Sequence, residues 1–273
     1  MRISPPSTGA RTASSAEARS LAETLLIRDR WIVGLAVALI CLLSWAWILP
    51  MSRDMYGPMT GASVWMMRES WNATHLVLLF AMWLVMMVGM MLPSAAPTLL
   101  LYAMVVRKDA GTGSPIARVY AFLFGYLLCW AAFSLVATAL QRWLSAARRL
   151  SPMMELQNRP LIAAVLVVAG LYQLTPLKHG CLRHCRAPAA FISEHWHPGL
   201  AGALRMGAVH GLYCLGCCWA LMLLLFAGGV MNLLCIALLT LFVLLEKLAP
   251  FGQRTAALAG FVLIVAGAAI ALS

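Results

Sequence analysis

The sequence predicts an all-α protein, a polytopic bundle of about seven transmembrane helices, with six spans as the alternative count. Two observations predict it. Of the 273 residues, 63% are hydrophobic and only 11% are charged, whereas soluble globular chains are about 45–50% apolar and about 25% charged. Long stretches such as 76–92 and 233–245 carry no ionised residue. The bilayer is therefore the expected solvent, because a soluble core of this size needs a charged surface.

The apolar runs define the spans in order, each judged against the roughly 20 residues needed to cross the hydrocarbon. The second run is too long for one straight span, and Pro93 and Pro97 are expected to kink or end it. The fourth and sixth runs are short. The fifth and sixth are joined only by Ala227, Gly228 and Gly229, which predicts a tight antiparallel hairpin. The predicted spans are 31–49, 75–106, 116–140, 161–177, 201–226, 230–245 and 256–272.

A polar N-terminus and an apolar remainder divide the chain. Residues 1–30 are interpreted as a basic cytoplasmic tail, disordered over 1–20, where Ser, Thr, Ala, Pro and Arg leave almost nothing to bury. Residues 31–273 form the predicted integral membrane domain, with a metal-binding-like core at 75–250. A cleaved signal peptide is the alternative for the first span. That span is long for an h-region and lacks a small-x-small cleavage motif, so we expect a retained anchor.

The excess of positive charge bears on topology. There are 20 Lys and Arg against 9 Asp and Glu, a net charge of +11. Because the basic residues flank apolar runs, we expect them to meet anionic lipid headgroups rather than nucleic acid. Counted by connecting segment, 14 lie on the side of the N-terminus and 6 on the other. This bias predicts a cytoplasmic N-terminus and an external C-terminus, although a re-entrant fourth run would invert everything after it.

Cysteine and histidine are concentrated in the second half of the chain. Five of the 8 Cys fall between Cys181 and Cys218. In the fifth span four candidate ligands follow one another at i, i+4, i+7 and i+8, within about 100° of the helix circumference, so they share one face. Four more occupy the predicted loop KHGCLRHCRAP, and thiolate with imidazole is the ligand set of Cu(I), Zn(II) and iron–sulfur centres. The candidates are His210, Cys214, Cys217 and Cys218 in the span, and His179, Cys181, His184 and Cys185 in the loop.

Within one ion site, the span residues are predicted to be the inner ligands. Cys181 and Cys185 are expected to control access from the cytoplasmic side, where thiols stay reduced. His179 and His184 are weaker candidates because they adjoin Lys178 and Arg183. The isolated Cys41, Cys129 and Cys235 are interpreted as packing residues, since Cys behaves as a small hydrophobe in membrane helices.

Methionine forms a second pattern in the second span. Met82, Met86 and Met90 repeat at i, i+4 and i+8 and share one helix face. Thioethers bind Cu(I) but are poor ligands for Zn(II), so this row favours copper. Adaptable packing is the alternative interpretation. Met51, Met55 and Met59 repeat the spacing in the predicted first external loop, and they are weaker evidence for a metal site.

The remaining polar and small residues of the membrane domain are given structural roles. Asn232, Glu246, Lys247 and Gln173 are expected to pair across helices or to set depth at the interface. Three glycines beside the Cys/His face should let another helix approach closely. They are Gly207, Gly211 and Gly216.

Four motifs resemble a known family, the bacterial predicted metal-binding integral membrane proteins catalogued as a domain of unknown function. They are MMVGMMLPSAAP, LYQLTPLKHGCLRHCRAP at 171–188, HGLYCLGCCWALMLLLFAGGVMN at 210–232, and EKLAP at 246–250. The resemblance covers roughly 75–250 and implies a polytopic inner-membrane protein with a suspected metal site and no established reaction. Cys235 stands where the family is expected to have a bulky aromatic residue, so it is left out of the site.

Three classes of function remain open. The first is a membrane protein that binds, moves or delivers a soft metal ion, most simply Cu(I), with Zn(II) as the alternative and with a metal-receiving protein or a second copy of the chain as partner. The second is a thiol–disulfide redox protein using Cys181 with Cys185, or Cys214 with Cys217. The third is an assembly factor without chemistry of its own. Enzyme activity is not predicted, and the chain lacks the GxxxxGK[ST] motif of ATP-driven transport.

Overall fold

The computed structural model describes residues 8–55, 57, 72–109, 114–151 and 154–273, with side chains described from residue 31 onward. This part of the chain is all-α, and its only β feature is an isolated bridge between Leu150 and Leu156. It contains nine helices, numbered here in chain order. They are α1 (Thr8–Met55), α2 (Ala73–Lys108), α3 (Pro115–Ala146), α4 (Arg159–Gln173), α5 (Pro176–Arg186), α6 (Pro188–Glu194), α7 (Gly199–Gly228), α8 (Leu233–Leu248) and α9 (Gly252–Leu272).

Within these described residues, five helices are long and apolar enough to cross a membrane, or six if α4 and α5 together form one bent span. The helical bundle predicted from composition is therefore confirmed. The five are the apolar part of α1 (Trp31–Met55), α2, α3, α7 and α9. The predicted sixth span is α8, whose 16 residues measure about 24 Å, less than a hydrocarbon core of about 30 Å.

The first helix is longer than the sequence predicts at both ends. Its backbone is helical from Thr8, inside the predicted disordered tail, and it continues to Met55 through Pro50. Met51 and Met55 therefore lie on a helix and are buried, rather than in an external loop, while Met59 lies outside the described residues. The predicted loop position of Met51 and Met55 was wrong because Pro50 does not end the helix.

The predicted fourth span is broken. Helices α4 and α5 meet at an angle of 63°, where Thr175 caps α5 by accepting a hydrogen bond from the Lys178 amide and Pro176 begins the helix. Proline has no amide hydrogen to donate and cannot continue α4. The KHGCLRHCRAP segment is consequently mostly helix α5, not a loop, and Cys181 and Cys185 stand one turn apart on it.

Helix α7 packs closely against α3 because glycines remove the side chains at the crossing. A Cβ at Gly207 would collide with the carbonyl oxygen of Phe122, and one at Gly211 would lie 2.9 Å from Cys129 Sγ. Gly216 is approached from another direction, by Cys181 Sγ of α5. The structure thus places close neighbours at all three glycines predicted to admit them.

Helix α7 ends at Gly228, and four residues separate it from the start of α8 at Leu233. Gly229 turns the chain with φ of 93°, in the region that favours glycine. The Asn232 side chain accepts hydrogen bonds from the Leu234 and Cys235 amides at 3.1 and 3.2 Å, and so caps α8. Asn232 therefore caps its own helix, a role different from the predicted pairing across helices or setting of depth.

Candidate metal centre

The predicted cysteine face of α7 is turned into the protein. Cys214, Cys217 and Cys218 are each 1% exposed, and His210 is 2% exposed. Their spacing places them on one side of the helix. The sequence could predict this shared face because all four residues lie on one long helix. All eight cysteines of the chain are free thiols in the structure.

Helix α5 brings a fourth buried thiol to this face. Cys185 Sγ lies 4.0 Å from Cys217 Sγ. Because metal–sulfur bonds measure about 2.3 Å, two sulfurs up to about 4.6 Å apart can bind one ion. Cys181, one turn earlier on α5, is only half-buried and faces Gly216. The bend before α5 thus orients one predicted loop cysteine, Cys185, towards the thiols of α7.

Helix α2 contributes a thioether that the sequence analysis did not single out. Cys218 Sγ lies 3.7 Å from Met91 Sδ, again within the reach of one ion. Tyr126 of α3 fixes this corner, since its hydroxyl donates to the Met91 carbonyl oxygen at 3.1 Å and lies 3.1 Å from Cys214 Sγ. We call Cys185, Cys214, Cys217, Cys218 and Met91 the sulfur cluster.

A buried lysine adjoins the sulfur cluster. Lys247, near the end of α8, is 5% exposed, and its Nζ lies 2.9 Å from Cys214 Sγ and 3.0 Å from Ser94 Oγ. A buried lysine amine needs polar or negative partners, and the Cys214 sulfur and the Ser94 hydroxyl lie within hydrogen-bond distance of it. A lysine side chain is therefore in contact with a candidate ligand atom of the cluster.

A buried charge pair lies beside Lys247. Glu246 accepts hydrogen bonds from Lys178 Nζ at 2.7 and 2.9 Å and from Gln173 Nε2 at 3.2 Å, and Lys178 also donates to the Gln173 side chain. Lys178 is fully buried. The pair connects α8 to both sides of the α4–α5 bend, so the predicted cross-helix role of these polar residues is present.

The histidines are arranged around the cluster rather than in it. His210 lies against Tyr126 and Phe191, with ring centroids 5.9 and 5.0 Å away, and its buried Nδ1 has no hydrogen-bond partner. His184 stacks on Tyr213 with centroids 4.2 Å apart. The buried Nε2 of His179 is likewise unpartnered. Orphaned buried nitrogens are uncommon, and an ion is one group that would satisfy them.

The predicted methionine row is buried, but it stands on another side of α2. Met82, Met86 and Met90 are all fully buried, and among the described residues the cysteine–methionine sulfur contact is made by Met91. Met91 follows Met82 by nine residues, which is about 180° around the helix. Ser94, which binds Lys247, is on the side of Met91 because it is three residues further on.

The described part of the chain contains no group of three or more His, Cys, Asp or Glu side chains placed to hold a metal ion. The sulfur contacts occur instead as pairs, Cys185 with Cys217 and Cys218 with Met91. Cys129, interpreted from the sequence as a packing residue, lies 3.2 Å from the Ala208 carbonyl oxygen at the α3–α7 crossing. The arrangement suits an ion that needs few, soft ligands.

Four participants were not assigned to the site from the sequence: Met91, Tyr126, Ser94 and Lys247. The run of methionines in α2 pointed to a possible sulfur ligand near Met91, but the i, i+4 spacing selected the neighbouring row of Met82, Met86 and Met90. For Lys247 the signal was an ionisable residue bordering a charge-free run, which marks a functional site by default in a membrane segment. Tyr126 and Ser94 have no comparable signal.

A bundle of apolar, span-length helices around buried, free thiols and a thioether defines a helical membrane-type protein with a candidate soft-metal site. The chain matches the PpoB2 family, described as a copper chaperone, over residues 80–270, and it belongs to that family. The match covers the whole sulfur cluster together with Tyr126, Ser94 and Lys247, and it confirms the metal-related family indicated by the sequence motifs. No curated protein and no solved structure matches the chain.

Proposed function

We propose that this protein is an inner-membrane copper chaperone that binds Cu(I) at the sulfur cluster and delivers it to a receiving protein. The observation that carries the proposal is the convergence of four buried free thiols and one thioether from three helices. Thiolates and thioethers are the ligands that select Cu(I). The family description, copper chaperone, supports the same ion.

The coordination pattern favours Cu(I) over Zn(II). Structural Zn(II) sites are almost always four-coordinate, with Cys and His as ligands, and the described residues hold no group of three such donors. A soft monovalent ion is satisfied by a pair of sulfurs. The Cys185–Cys217 and Cys218–Met91 pairs, with separations of 4.0 and 3.7 Å, provide two such positions.

Pairs of sulfurs also suit delivery. An ion held by two ligands can be passed to another pair by exchanging one ligand at a time, so the barrier to release stays low. Lys247 balances the negative charge of a thiolate in the cluster, and His210 is the inner nitrogen donor. Cys181 controls access from the cytoplasmic side, in the orientation with a cytoplasmic N-terminus, and the apolar outer surface contacts membrane lipid.

Copper binding by purified protein tests the proposal. Reduced wild-type protein in detergent is expected to hold Cu(I) against a competing chelator. Cys217→Ser should hold less copper, because Cys185 then lacks its sulfur partner while the Cys218–Met91 pair remains. Cys235→Ser is the matched control, since Cys235 lies on α8 away from the cluster contacts. Equal copper content in Cys217→Ser and wild type would overturn the proposal.

The 4.0 Å between Cys185 and Cys217 also supports a second candidate, a thiol–disulfide redox protein. Forming this bond joins the two sulfurs and releases two protons and two electrons, for which a membrane quinone is the acceptor. This function requires a Cys185–Cys217 disulfide after oxidation with a quinone, detectable by mass spectrometry of peptides. The redox function also requires that Met91→Leu leave activity intact, whereas the copper function predicts weaker copper binding in that variant.

A further inference from the structure

Two imidazoles that are not part of the sulfur cluster lie together beside Tyr213 of α7. His184 of α5 and His195, just after α6, are both half-buried, and their ring centroids are 6.3 Å apart. Each ring is held against an aromatic neighbour, His184 on Tyr213 at 4.2 Å and His195 on Phe191 at 4.8 Å. The two side chains are therefore held in place before any ligand arrives.

Both rings have the hydrogen bond that prepares an imidazole for a metal ion. His184 Nδ1 lies 2.9 Å from the Gly180 carbonyl oxygen, and His195 Nδ1 lies 3.1 Å from that of Phe191. A carbonyl oxygen only accepts, so each neutral ring donates its Nδ1 hydrogen and keeps the lone pair on Nε2. Metal-binding histidines are oriented in this way by their second nitrogen.

The separation of the rings suits one ion between them. With metal–nitrogen bonds of about 2.0–2.1 Å, a ring centroid stands about 3.2 Å from the ion, so two rings can share it at up to about 6.4 Å. The local charges permit a cation. Lys178, which precedes this segment, is neutralised by Glu246 at 2.7 Å, and Arg183 is exposed.

We propose that His184 and His195 form a second metal site that acquires Cu(I) and passes it inward. The inference rests on the proposed function. From His195 the path continues past Phe191 to His210, and the ring centroids of Phe191 and His210 are 5.0 Å apart. His210 precedes Cys214 by one turn of α7. Imidazole is a harder ligand than thiolate, so a soft ion gains stability at each step towards the sulfur cluster. The unpartnered Nδ1 of His210 is the intermediate donor.

The rate of copper loading tests this site separately from the cluster. Mixed with a Cu(I)–glutathione complex, wild-type protein should load the sulfur cluster quickly. His184→Gln and His195→Gln should each load it at least about tenfold more slowly, the scale on which loss of a metal-site residue acts. Their final copper affinity at the cluster should equal that of wild type, because no sulfur ligand is changed.

His197→Gln is the matched control, since His197 is also half-buried and bonds a carbonyl oxygen through Nδ1, at 2.8 Å from His195 O. It should load at the wild-type rate. In Cys217→Ser, X-ray absorption should show nitrogen ligands beside the sulfur ligands of the Cys218–Met91 pair, and the nitrogen contribution should fall on adding His195→Gln. Wild-type loading rates in both His184→Gln and His195→Gln would overturn the second site alone, whereas a wild type that binds no copper would overturn the proposed function.

Discussion

The cysteine face of α7 and the methionine row of α2 look alike in the sequence. Each repeats soft, sulfur-containing side chains at about four-residue intervals in an apolar helix, and each is buried. They differ in their neighbours. The α7 thiols contact a thiol of α5, a tyrosine hydroxyl and the Lys247 amine. Among the described residues, the cysteine–methionine sulfur contact is made by Met91 and not by Met82, Met86 or Met90.

The difference shows what a periodic stripe establishes. Spacing identifies which residues share a helix face, but packing and binding faces have the same period. A charged or polar partner at the stripe separates them, because burying such a group is costly unless it is used. On α2 that criterion selects Met91 and Ser94, which adjoin Cys218 and Lys247, in place of the row that the spacing alone favours.

The largest expected effect comes from removing the ion pair that joins α5 to α8. Lys178→Met leaves Glu246 buried without its cation, which should lower the free energy of unfolding by about 3–5 kcal/mol. Thermal unfolding in detergent measures the change. Arg183→Met, on the same helix but exposed, should change stability by less than about 0.5 kcal/mol. Equal loss in both variants would mean that the pair does not hold α5.

A smaller effect on stability is expected from replacing one glycine by alanine on α7 and, for comparison, one on α2. Gly207→Ala on α7 places a methyl group against the Phe122 backbone, which cannot move aside, and should cost about 1–3 kcal/mol of stability. Gly89→Ala on α2 meets side-chain atoms of Ser44 and Ile48 at 3.1 and 3.3 Å, and the better helix propensity of Ala offsets up to about 1 kcal/mol. The reverse order of unfolding temperatures would contradict the α3–α7 crossing described here.

The smallest effect sharpens the comparison within α2 itself. Met91→Leu, which is nearly isosteric, should weaken Cu(I) binding by roughly tenfold, or about 1.4 kcal/mol, through loss of the thioether beside Cys218. Met90→Leu changes the neighbouring face and should leave affinity unchanged. Chelator competition measures both. If the combined Met82, Met86 and Met90 to Leu variant weakens binding and Met91→Leu does not, the row predicted from spacing is the ligand face.

Sequence reasoning predicted the parts of this protein that depend on one helix at a time. Hydrophobic runs located the long helices, and the 3.6-residue period placed Cys214, Cys217 and Cys218 on one face. It predicted that certain small and polar residues would meet across helices, but not which helices and side chains would meet. The break at Pro176 turns a predicted loop into helix α5 and orients Cys185 towards Cys217. The choice of Met91 depends on how α2 is rotated against α7, which no local pattern determines.

Helix α8 ends in two adjacent residues that bind different elements. Glu246 is bonded to Lys178 beside the α4–α5 bend, and Lys247 is bonded to Cys214 and Ser94. Neighbouring residues point about 100° apart on a helix, so rotating this end of α8 to withdraw Lys247 from the cysteine also displaces the glutamate from its lysine. A rotation of this end of α8 would therefore change the contacts at Cys214 and at the α4–α5 bend together, through a single turn of helix.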